Sequence, residues 1–294
     1  MKKLAVLNLV LVVGLLIGLA VFAGTAAASG PVHWNYESGE EGPDHWGELS
    51  HDFAACGEGT EQSPIDVPAS ATVNPADLTM NYQPTAVNIL NNGHTVQVNY
   101  DSGSTLTVDG VDYNLLQFHF HALSEHTVGG NYADMEMHLV HQSADGNYAV
   151  VGVLLNRGAE NAAFTPVWDN LPAEEAEAET IAGATVNAAD LLPAEQTYYR
   201  YNGSFTTPPC TEGVKWFLMS NPVELSDAQV SAFEQIFDHN YRPVQPFNAR
   251  SFLLTSEVPA TLPETGGAAF PLVSVLLGSG LLTAAAGLYL RRRN

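Results

Sequence analysis

The chain has 294 residues, of which 32 are acidic and only 10 are basic, for a formal net charge of −22. Because contacts to phosphate groups require lysine and arginine, this shortage of bases excludes nucleic-acid binding as a leading function. A hydrophobic fraction of 46% also excludes a largely disordered chain.

The first 28 residues have the pattern of a secretory signal peptide. Lys2 and Lys3 precede an apolar run over 4–22, and the small residues Ala26–Ala28 fit a cleavage site. An uncleaved membrane anchor is the alternative, since the apolar run is longer than usual. Residues 29–256 are then predicted to form one folded domain.

Short segments of alternating hydrophobicity dominate this domain, and turn residues such as Asn91-Asn92-Gly93 and Asp109-Gly110 separate them. The predicted strands are Val87–Leu90, Thr95–Tyr100, Thr105–Val108, Val111–Leu116, Leu115–His121, Asp134–His141 and Tyr148–Leu155.

Helical periodicity is sparse and falls near Ala163–Leu171 and Ser226–Phe237, where Ser226 is a plausible N-cap. The Ala/Glu run 173–179 indicates a solvated loop or helical turn. Together the elements predict a mainly β (α+β) single domain. It is built on a large, twisted, mostly antiparallel central sheet with short peripheral helices.

The C-terminus resembles a sortase sorting signal of the LPxTG type. Leu262–Gly266 is followed by an uncharged, mostly apolar span over 268–290 and by Arg291–Arg293. The resemblance implies that a sortase cleaves after Thr265 and joins the chain to cell-wall peptidoglycan. A plain membrane anchor is the alternative, and both place the domain outside the cell. Residues 257–265 form the tether in either case.

The removable ends change the charge balance. Residues 1–28 and 266–294 contain five of the 10 bases and no acid, so the predicted mature segment holds all 32 acids against five bases. Such a segment is typical of a highly anionic surface exposed to an external medium.

Cys56 and Cys210 are the two cysteines of the chain. In an exported protein they can be paired, and the bridge would close a loop of about 150 residues, worth about 5 kcal/mol in the chain-entropy model. Two buried free thiols are the alternative.

Three histidines on two predicted strands have the pattern of a metal site. His119 and His121 share one face of their strand, and His138 lies on a later strand. If the strands are neighbours, three imidazoles converge, and three protein ligands with an open position are typical of catalytic zinc. Gln117 and Glu136, two residues away on the same faces, are candidate acceptors for the other ring nitrogens.

Several ordered blocks around these histidines resemble α-class carbonic anhydrase of the secreted bacterial type, over about Trp34–Arg250. The blocks are Gln62–Asp66, Asn91–His94, Gln117–His121, Ser124–Val128, Glu136–His141, Gly203–Cys210 and Asn240–Pro246. The resemblance implies reversible, zinc-dependent hydration of carbon dioxide to bicarbonate and a proton, a lyase reaction. It is also compatible with a homodimer.

The resemblance further implies a role for each matching residue. Zn²⁺ is held by His119, His121 and His138, and these are oriented by Gln117, Glu136 and the Asn240 carbonyl. Thr206 and Glu125 orient the nucleophile, and His94 is the proton shuttle. The residues implied to contact carbon dioxide are Val140, Val150, Phe205, Thr206, Thr207 and Val214. The residues implied to order the relay water are Tyr36, Asn92 and Gln97. Cys56 and Cys210 match the disulfide of secreted bacterial members.

Two other functions remain open. A cupin-like metal-binding barrel fits the H-x-H-x3-E spacing from His119 to Glu125, but Tyr113 and Tyr132 stand where that motif expects glycine. A non-catalytic surface binding module is the second alternative, although such modules lack zinc ligands that this chain retains.

Overall fold

The computed structural model describes residues 32–75 and 77–253. The strands are β1 (Asp66–Val67), β2 (Thr79–Asn81), β3 (Thr85–Asn91), β4 (Val96–Asn99), β5 (Thr105–Val108), β6 (Val111–His121), β7 (Thr127–Val128), β8 (Asn131–Tyr132), β9 (Met135–Ser143), β10 (Tyr148–Arg157), β11 (Ala176–Val186), β12 (Tyr198–Ser204), β13 (Glu212–Met219) and β14 (Val223–Leu225). The α-helices are α1 (Trp46–Leu49), α2 (Ala55–Glu58), α3 (Thr165–Trp168) and α4 (Asp227–Glu234), and the 3₁₀ turns are His51–Phe53, Ala162–Phe164 and Ala188–Leu191.

In this part of the chain, eleven strands form one large sheet in the order β11-β3-β4-β6-β9-β10-β13-β12, with β2, β5 and β14 paired at its sides. The pairings are antiparallel except that β10 runs parallel to β13 and to β14. A small sheet joins β1, β7 and β8. The predicted fold class, a mainly β domain on a large and mostly antiparallel sheet, is confirmed.

One face of the sheet packs on the main hydrophobic core. The residues of β3 alternate between buried and half-buried, as expected when only one face of a strand meets the core. On β6, Phe120 is fully buried, and its ring lies 4.9 Å from that of Trp168 and 5.9 Å from that of Phe233. The peripheral helices therefore cover the face opposite His119 and His121.

The prediction for residues 173–179 is wrong in part, because Ala176–Val186 form the edge strand β11. Alanine and glutamate favour helix locally, but antiparallel pairing with β3 overrides that preference. Irregular register along this pair explains why no clean alternation marks the strand.

Both predicted helical stretches contain a helix, and each helix is shorter than the predicted stretch. Ser226 caps α4 with a capping box, in which its side chain and that of Gln229 each bond the other's backbone. The stretch near Ala163–Leu171 contains a 3₁₀ turn and the one-turn helix α3.

Cys56 and Cys210 form a disulfide, which confirms the pairing implied by the family resemblance. No helix within residues 32–75 and 77–253 is long and apolar enough to cross a membrane. The predicted signal peptide (1–28), the tether (257–265) and the C-terminal segment (266–294) lie outside the described residues, so the division of the chain stays a prediction.

Candidate active site

Three histidines converge on the face of the sheet opposite the main core. Strands β6 and β9 are antiparallel neighbours in a register that sets His119 directly opposite His138. Ligand nitrogens of His119, His121 and His138 all lie within 4.8 Å of one another. The strand pairing that the sequence left conditional therefore exists, and it brings the predicted ligands together.

An oxygen acceptor orients each of the two β6 imidazoles. The Nδ1 atom of His119 lies 2.8 Å from the Gln117 side-chain oxygen, and the Nδ1 atom of His121 lies 2.7 Å from the Asn240 carbonyl oxygen. These acceptors require an N–H at Nδ1, which leaves the Nε2 lone pair of both rings directed into the site.

Glu136 orients the third imidazole and ties it to a neighbouring histidine. Its Oε1 atom accepts from His138 Nε2 at 2.9 Å and from His126 Nδ1 at 2.7 Å, so Nδ1 of His138 is left for a ligand. Burial acts to raise the pKa of Glu136, but its electrostatic interactions and hydrogen bonds with His126 and His138 hold the pKa well below the usual value. The carboxylate is therefore ionised, as an acceptor for both rings must be.

The chemistry of this donor set fits zinc. Burial lowers the pKa of His119 and His138 and lowers that of His121 to about 4, so all three rings are neutral, which is the metal-binding form. The Nε2 atom of His121 is buried and has no hydrogen-bond partner among the described residues. Catalytic zinc sites typically have three neutral imidazole ligands, and the second nitrogen of each ring is held by a hydrogen-bond acceptor, as it is here.

Glu125 lies beside the histidines and is fully buried. Its Oε1 atom accepts from the Arg242 backbone N–H at 2.8 Å, and Oε2 lies 3.6 Å from His121 Nε2 without a hydrogen bond of ordinary length. Burial raises the pKa of Glu125 to about 7, while the electrostatic interaction with His138, the Arg242 amide and the Thr206 hydroxyl oppose that rise. Glu125 and Thr206 thus share one corner of the site.

A cavity of about 270 Å³ opens next to the histidines. Its lining includes most of the residues implied to contact carbon dioxide, namely Val140, Val150, Phe205, Thr206 and Thr207. Val214 is not among the residues that line this cavity, but it belongs to the same hydrophobic cluster as Val140 and Val150. One side of the cavity is therefore apolar, and the other carries imidazole and hydroxyl groups.

Trp216 also lines this cavity, although the sequence reasoning missed it. Its ring lies 4.9 Å from that of His138. Trp216 stands two residues after Val214 on β13, so strand alternation alone would have placed it on the same face. The Tyr148 ring packs against that of Phe205, with the two ring centroids 4.8 Å apart.

A second cavity of about 130 Å³ connects the histidines to the residues implied in proton transfer. Tyr36, Asn92, His94 and Gln97 all line it, together with His119, His121 and Thr207. The Asn92 side chain accepts from the backbone N–H of His94 at 3.0 Å, which holds the turn that presents His94.

The His94 ring stacks on Trp34, with centroids 3.7 Å apart and planes 6° from parallel. Burial lowers the pKa of His94, and the charge of His33 adds to this shift while that of Glu175 opposes it. Trp34 is a further residue missed from sequence, and its position two residues before Tyr36 is the signal that could have found it.

The eukaryotic-type carbonic anhydrase family model matches residues 41–255 of this chain. The chain belongs to the α-class carbonic anhydrase family. A carbonic anhydrase from Nostoc sp. is 46% identical over 224 residues, covering 74% of this chain and 84% of that protein. One from Klebsiella pneumoniae is 43% identical over 240 residues, covering 80% of this chain and 95% of that protein.

Solved structures agree with this membership. An α-carbonic anhydrase from Thermovibrio ammonificans, in complex with the inhibitor sulfanilamide, matches with a TM-score of 0.73 and 41% sequence identity. The match covers 76% of this chain and all of that one, at 100%. The family resemblance found in the sequence is therefore confirmed, and it supports reversible hydration of carbon dioxide as the activity of this enzyme.

Proposed function

We propose that this carbonic anhydrase hydrates carbon dioxide with a zinc ion held by His119, His121 and His138. The convergence of these three ligand nitrogens within 4.8 Å carries the proposal. Zinc bound there supplies the Lewis acidity that makes water a nucleophile near neutral pH. Gln117, Glu136 and Asn240 keep the ligand rings oriented through the hydrogen bonds described above.

Glu125 and Thr206 orient the attacking nucleophile. The Arg242 amide holds the Glu125 carboxylate next to the Thr206 hydroxyl. In the proposed arrangement Thr206 donates its O–H to this carboxylate, which leaves the hydroxyl oxygen to accept a hydrogen bond from the nucleophile. This arrangement aims a lone pair of the nucleophile at the cavity wall. Positioning of this kind lowers the barrier because the reacting atoms need no further reorganisation.

The apolar wall receives carbon dioxide. Val140, Val150 and Phe205 line the cavity beside the histidines, and a substrate without charge is bound best by such a surface. Thr206 and Thr207 also line this cavity, and their hydroxyl groups can hydrogen-bond to the more polar product, bicarbonate.

His94 carries the released proton to solvent. Tyr36, Asn92 and Gln97 line the cavity between His94 and the zinc ligands, where they order the water that connects them. An imidazole suits this role because it gains and loses a proton near neutral pH.

The enzyme is exported and held at the cell surface through the sorting signal around Leu262–Gly266. Its proposed partners are a sortase and cell-wall peptidoglycan, and dimerisation stays a prediction. Mass spectrometry of the wall-bound protein is expected to find a C-terminus at Thr265. A mature C-terminus beyond Gly266 in that fraction would contradict sorting and favour a membrane anchor.

Zinc content and carbon dioxide hydration measured on the same purified sample test the catalytic proposal. We expect about one zinc per chain, loss of hydration when a chelator removes the metal, and recovery when zinc is restored. Undiminished hydration by zinc-free enzyme would contradict the zinc role. Stoichiometric zinc without hydration would instead favour the non-catalytic binding module, while family membership argues against the cupin-like barrel.

A further inference from the structure

Arg242 is a buried cation whose guanidinium finds only neutral acceptors among residues 32–75 and 77–253. It is 1% exposed, and it donates at 2.8 Å to the Gln62 side-chain oxygen, the Ser63 carbonyl and the Cys56 carbonyl. The guanidinium carbon also lies 5.7 Å from the ring centroid of Trp46. The Arg242 side chain therefore joins the 240–242 segment to the 46–63 region.

Burying such a charge without a salt bridge is unfavourable, even when hydrogen bonds offset part of the cost. Burial lowers the pKa of Arg242 to about 10, against the opposing effect of the Glu125 charge, and the side chain stays protonated at neutral pH. A neutral side chain of similar volume would avoid this cost, so the guanidinium calls for a role other than packing.

The backbone next to this guanidinium holds two groups of the candidate active site. The Asn240 carbonyl accepts from His121 Nδ1 at 2.7 Å, and the Arg242 N–H donates to Glu125 Oε1 at 2.8 Å. The Asn240 side chain adds a bond from the Ala122 N–H at 2.7 Å and donates to the Phe120 carbonyl at 3.0 Å. Two backbone groups of residues 240–242 thus set the orientation of His121 and Glu125 together.

The same guanidinium network reaches the loop that carries Thr206. The Gln62 side chain accepts from Arg242 and donates to the Cys210 carbonyl at 3.0 Å, while Cys210 is bonded to Cys56. The Cys210 N–H in turn donates to the Thr207 carbonyl at 2.8 Å. Arg242 therefore contacts Glu125 directly through its backbone N–H and is linked to the Thr206 loop indirectly, through Gln62 and Cys210.

We propose that the Arg242 side chain is a positioning residue for this site. By fixing residues 240–242 against Cys56, Gln62 and Ser63, it holds the Asn240 carbonyl on His121 and its own N–H on Glu125. The consequence for zinc binding and turnover rests on the proposed function, whereas the positioning itself is a property of the metal-free protein.

Substitution of Arg242 and NMR on the metal-free enzyme test the proposal. Arg242→Met keeps most of the side-chain volume and removes the charge and the donors, and Arg242→Lys keeps the charge with a single donor group. Arg250→Met is the matched control, because Arg250 also donates to backbone carbonyls and stacks on the rings of Tyr201 and Phe247, yet none of its partners holds a zinc ligand.

We expect the backbone N–H of position 242 and the His121 Nδ1–H to exchange at least about 10-fold faster with solvent in Arg242→Met. Zinc affinity should fall about 10-fold to 100-fold, which is the range typical when the groups that hydrogen-bond to a metal ligand are disturbed. Arg242→Lys should recover part of both effects, and Arg250→Met should change neither. Equal exchange rates and zinc affinities in Arg242→Met and Arg250→Met would overturn the proposal.

Gln62→Met keeps the test decisive if Arg242→Met does not fold, because it removes one acceptor of the guanidinium and leaves Arg242 in place. Faster exchange of the same two protons supports the proposal, and unchanged exchange contradicts it. The exchange measurements use metal-free protein, so a wild-type enzyme without zinc or hydratase activity would refute the proposed function and leave this inference separately testable.

Discussion

Strand β6 presents two faces with opposite chemistry. Phe118 and Phe120 are fully buried in the main core, whereas Gln117, His119 and His121 face the site cavities on the other side. The stabilisation that comes from burying the rings of the first face is non-directional, and it depends on how well the side chains fill the available volume. Function on the second face depends on hydrogen bonds at 2.7 to 2.8 Å that orient individual ring nitrogens. The comparison predicts that changes on the core face alter stability first, and that changes on the site face alter activity first.

The largest effect is expected on the site face of the sheet, for His138→Ala on the neighbouring strand β9, directly opposite His119. Removing a zinc ligand should abolish stoichiometric zinc binding. Hydration should fall by more than the roughly 100-fold that is typical when a hydrogen-bond partner of a ligand is lost. Metal analysis and stopped-flow hydration measure the two effects. His51→Ala, at an exposed histidine of the 3₁₀ turn His51–Phe53, is the control and should change neither. Full activity in a zinc-free His138→Ala enzyme would remove His138 from the mechanism.

On the core face, Phe120→Ala should lower the free energy of unfolding by about 3–5 kcal/mol, because it removes a fully buried ring and leaves a cavity between the sheet and the helices. Urea denaturation measures the loss. The protein that remains folded should still bind zinc through His119, His121 and His138. The control Val111→Ala alters a side chain that is 46% exposed and should cost far less. A loss below about 1 kcal/mol would show that this face tolerates a cavity.

His141 offers a pH-dependent test of the core face. Its Nε2 atom lies 2.8 Å from the Tyr82 hydroxyl, and burial lowers its pKa to about 4. Because the unfolded pKa is about 6.5, the unfolded state binds the proton more tightly between these values. Stability contributed by neutral His141 is therefore present above pH 6.5 and falls by up to about 1.4 kcal/mol per unit as the pH drops toward 4.

The His141→Gln variant should be less stable at pH 7, since it disturbs a buried contact, but should lose less stability than the wild type between about pH 6.5 and 4. Urea denaturation at several pH values measures both quantities. His51→Gln, at an exposed histidine, should follow the wild-type slope. Identical slopes in His141→Gln and the wild type would mean that His141 titrates normally.

The smallest effect is expected for His94→Ala, which leaves the zinc ligands and the cavity wall intact. Hydration in weak buffer should slow by at least about 10-fold, because an imidazole relay for protons is lost, and added imidazole should restore much of the rate. The free energy of unfolding should change little, since His94 is only partly buried. An unchanged rate in weak buffer would assign proton transfer to another group.

The alternation of residues along the strands was enough to predict a large part of the site. Alternation alone placed His119 and His121 on one face of a strand and Phe118 and Phe120 on the other, and the structure agrees. Gln117 was recognised as an acceptor because it lies two residues from His119 on the same face. Alternation succeeds here because the side chains of a strand point to opposite faces wherever the strand lies in the sheet.

Contacts between residues far apart in the sequence could not be predicted from the local pattern. Antiparallel pairing of β6 with β9 brings His138 to His119, and Asn240 reaches His121 from 119 residues away in sequence. The family resemblance, rather than periodicity, indicated Asn240. Arg242 lay within a block that carried the family resemblance, but the sequence assigned no role to its side chain, because its acceptors lie about 180 residues away, near Gln62.

The sequence by itself determined which side chains share a strand face, where α4 begins, and the chemistry of the histidine ligands, since these follow from local geometry and residue type. The tertiary structure decided that Ala176–Val186 would be a strand and that Glu125 would be held by the Arg242 amide. Such outcomes depend on distant segments packing together, and only the folded sheet specifies which segments meet.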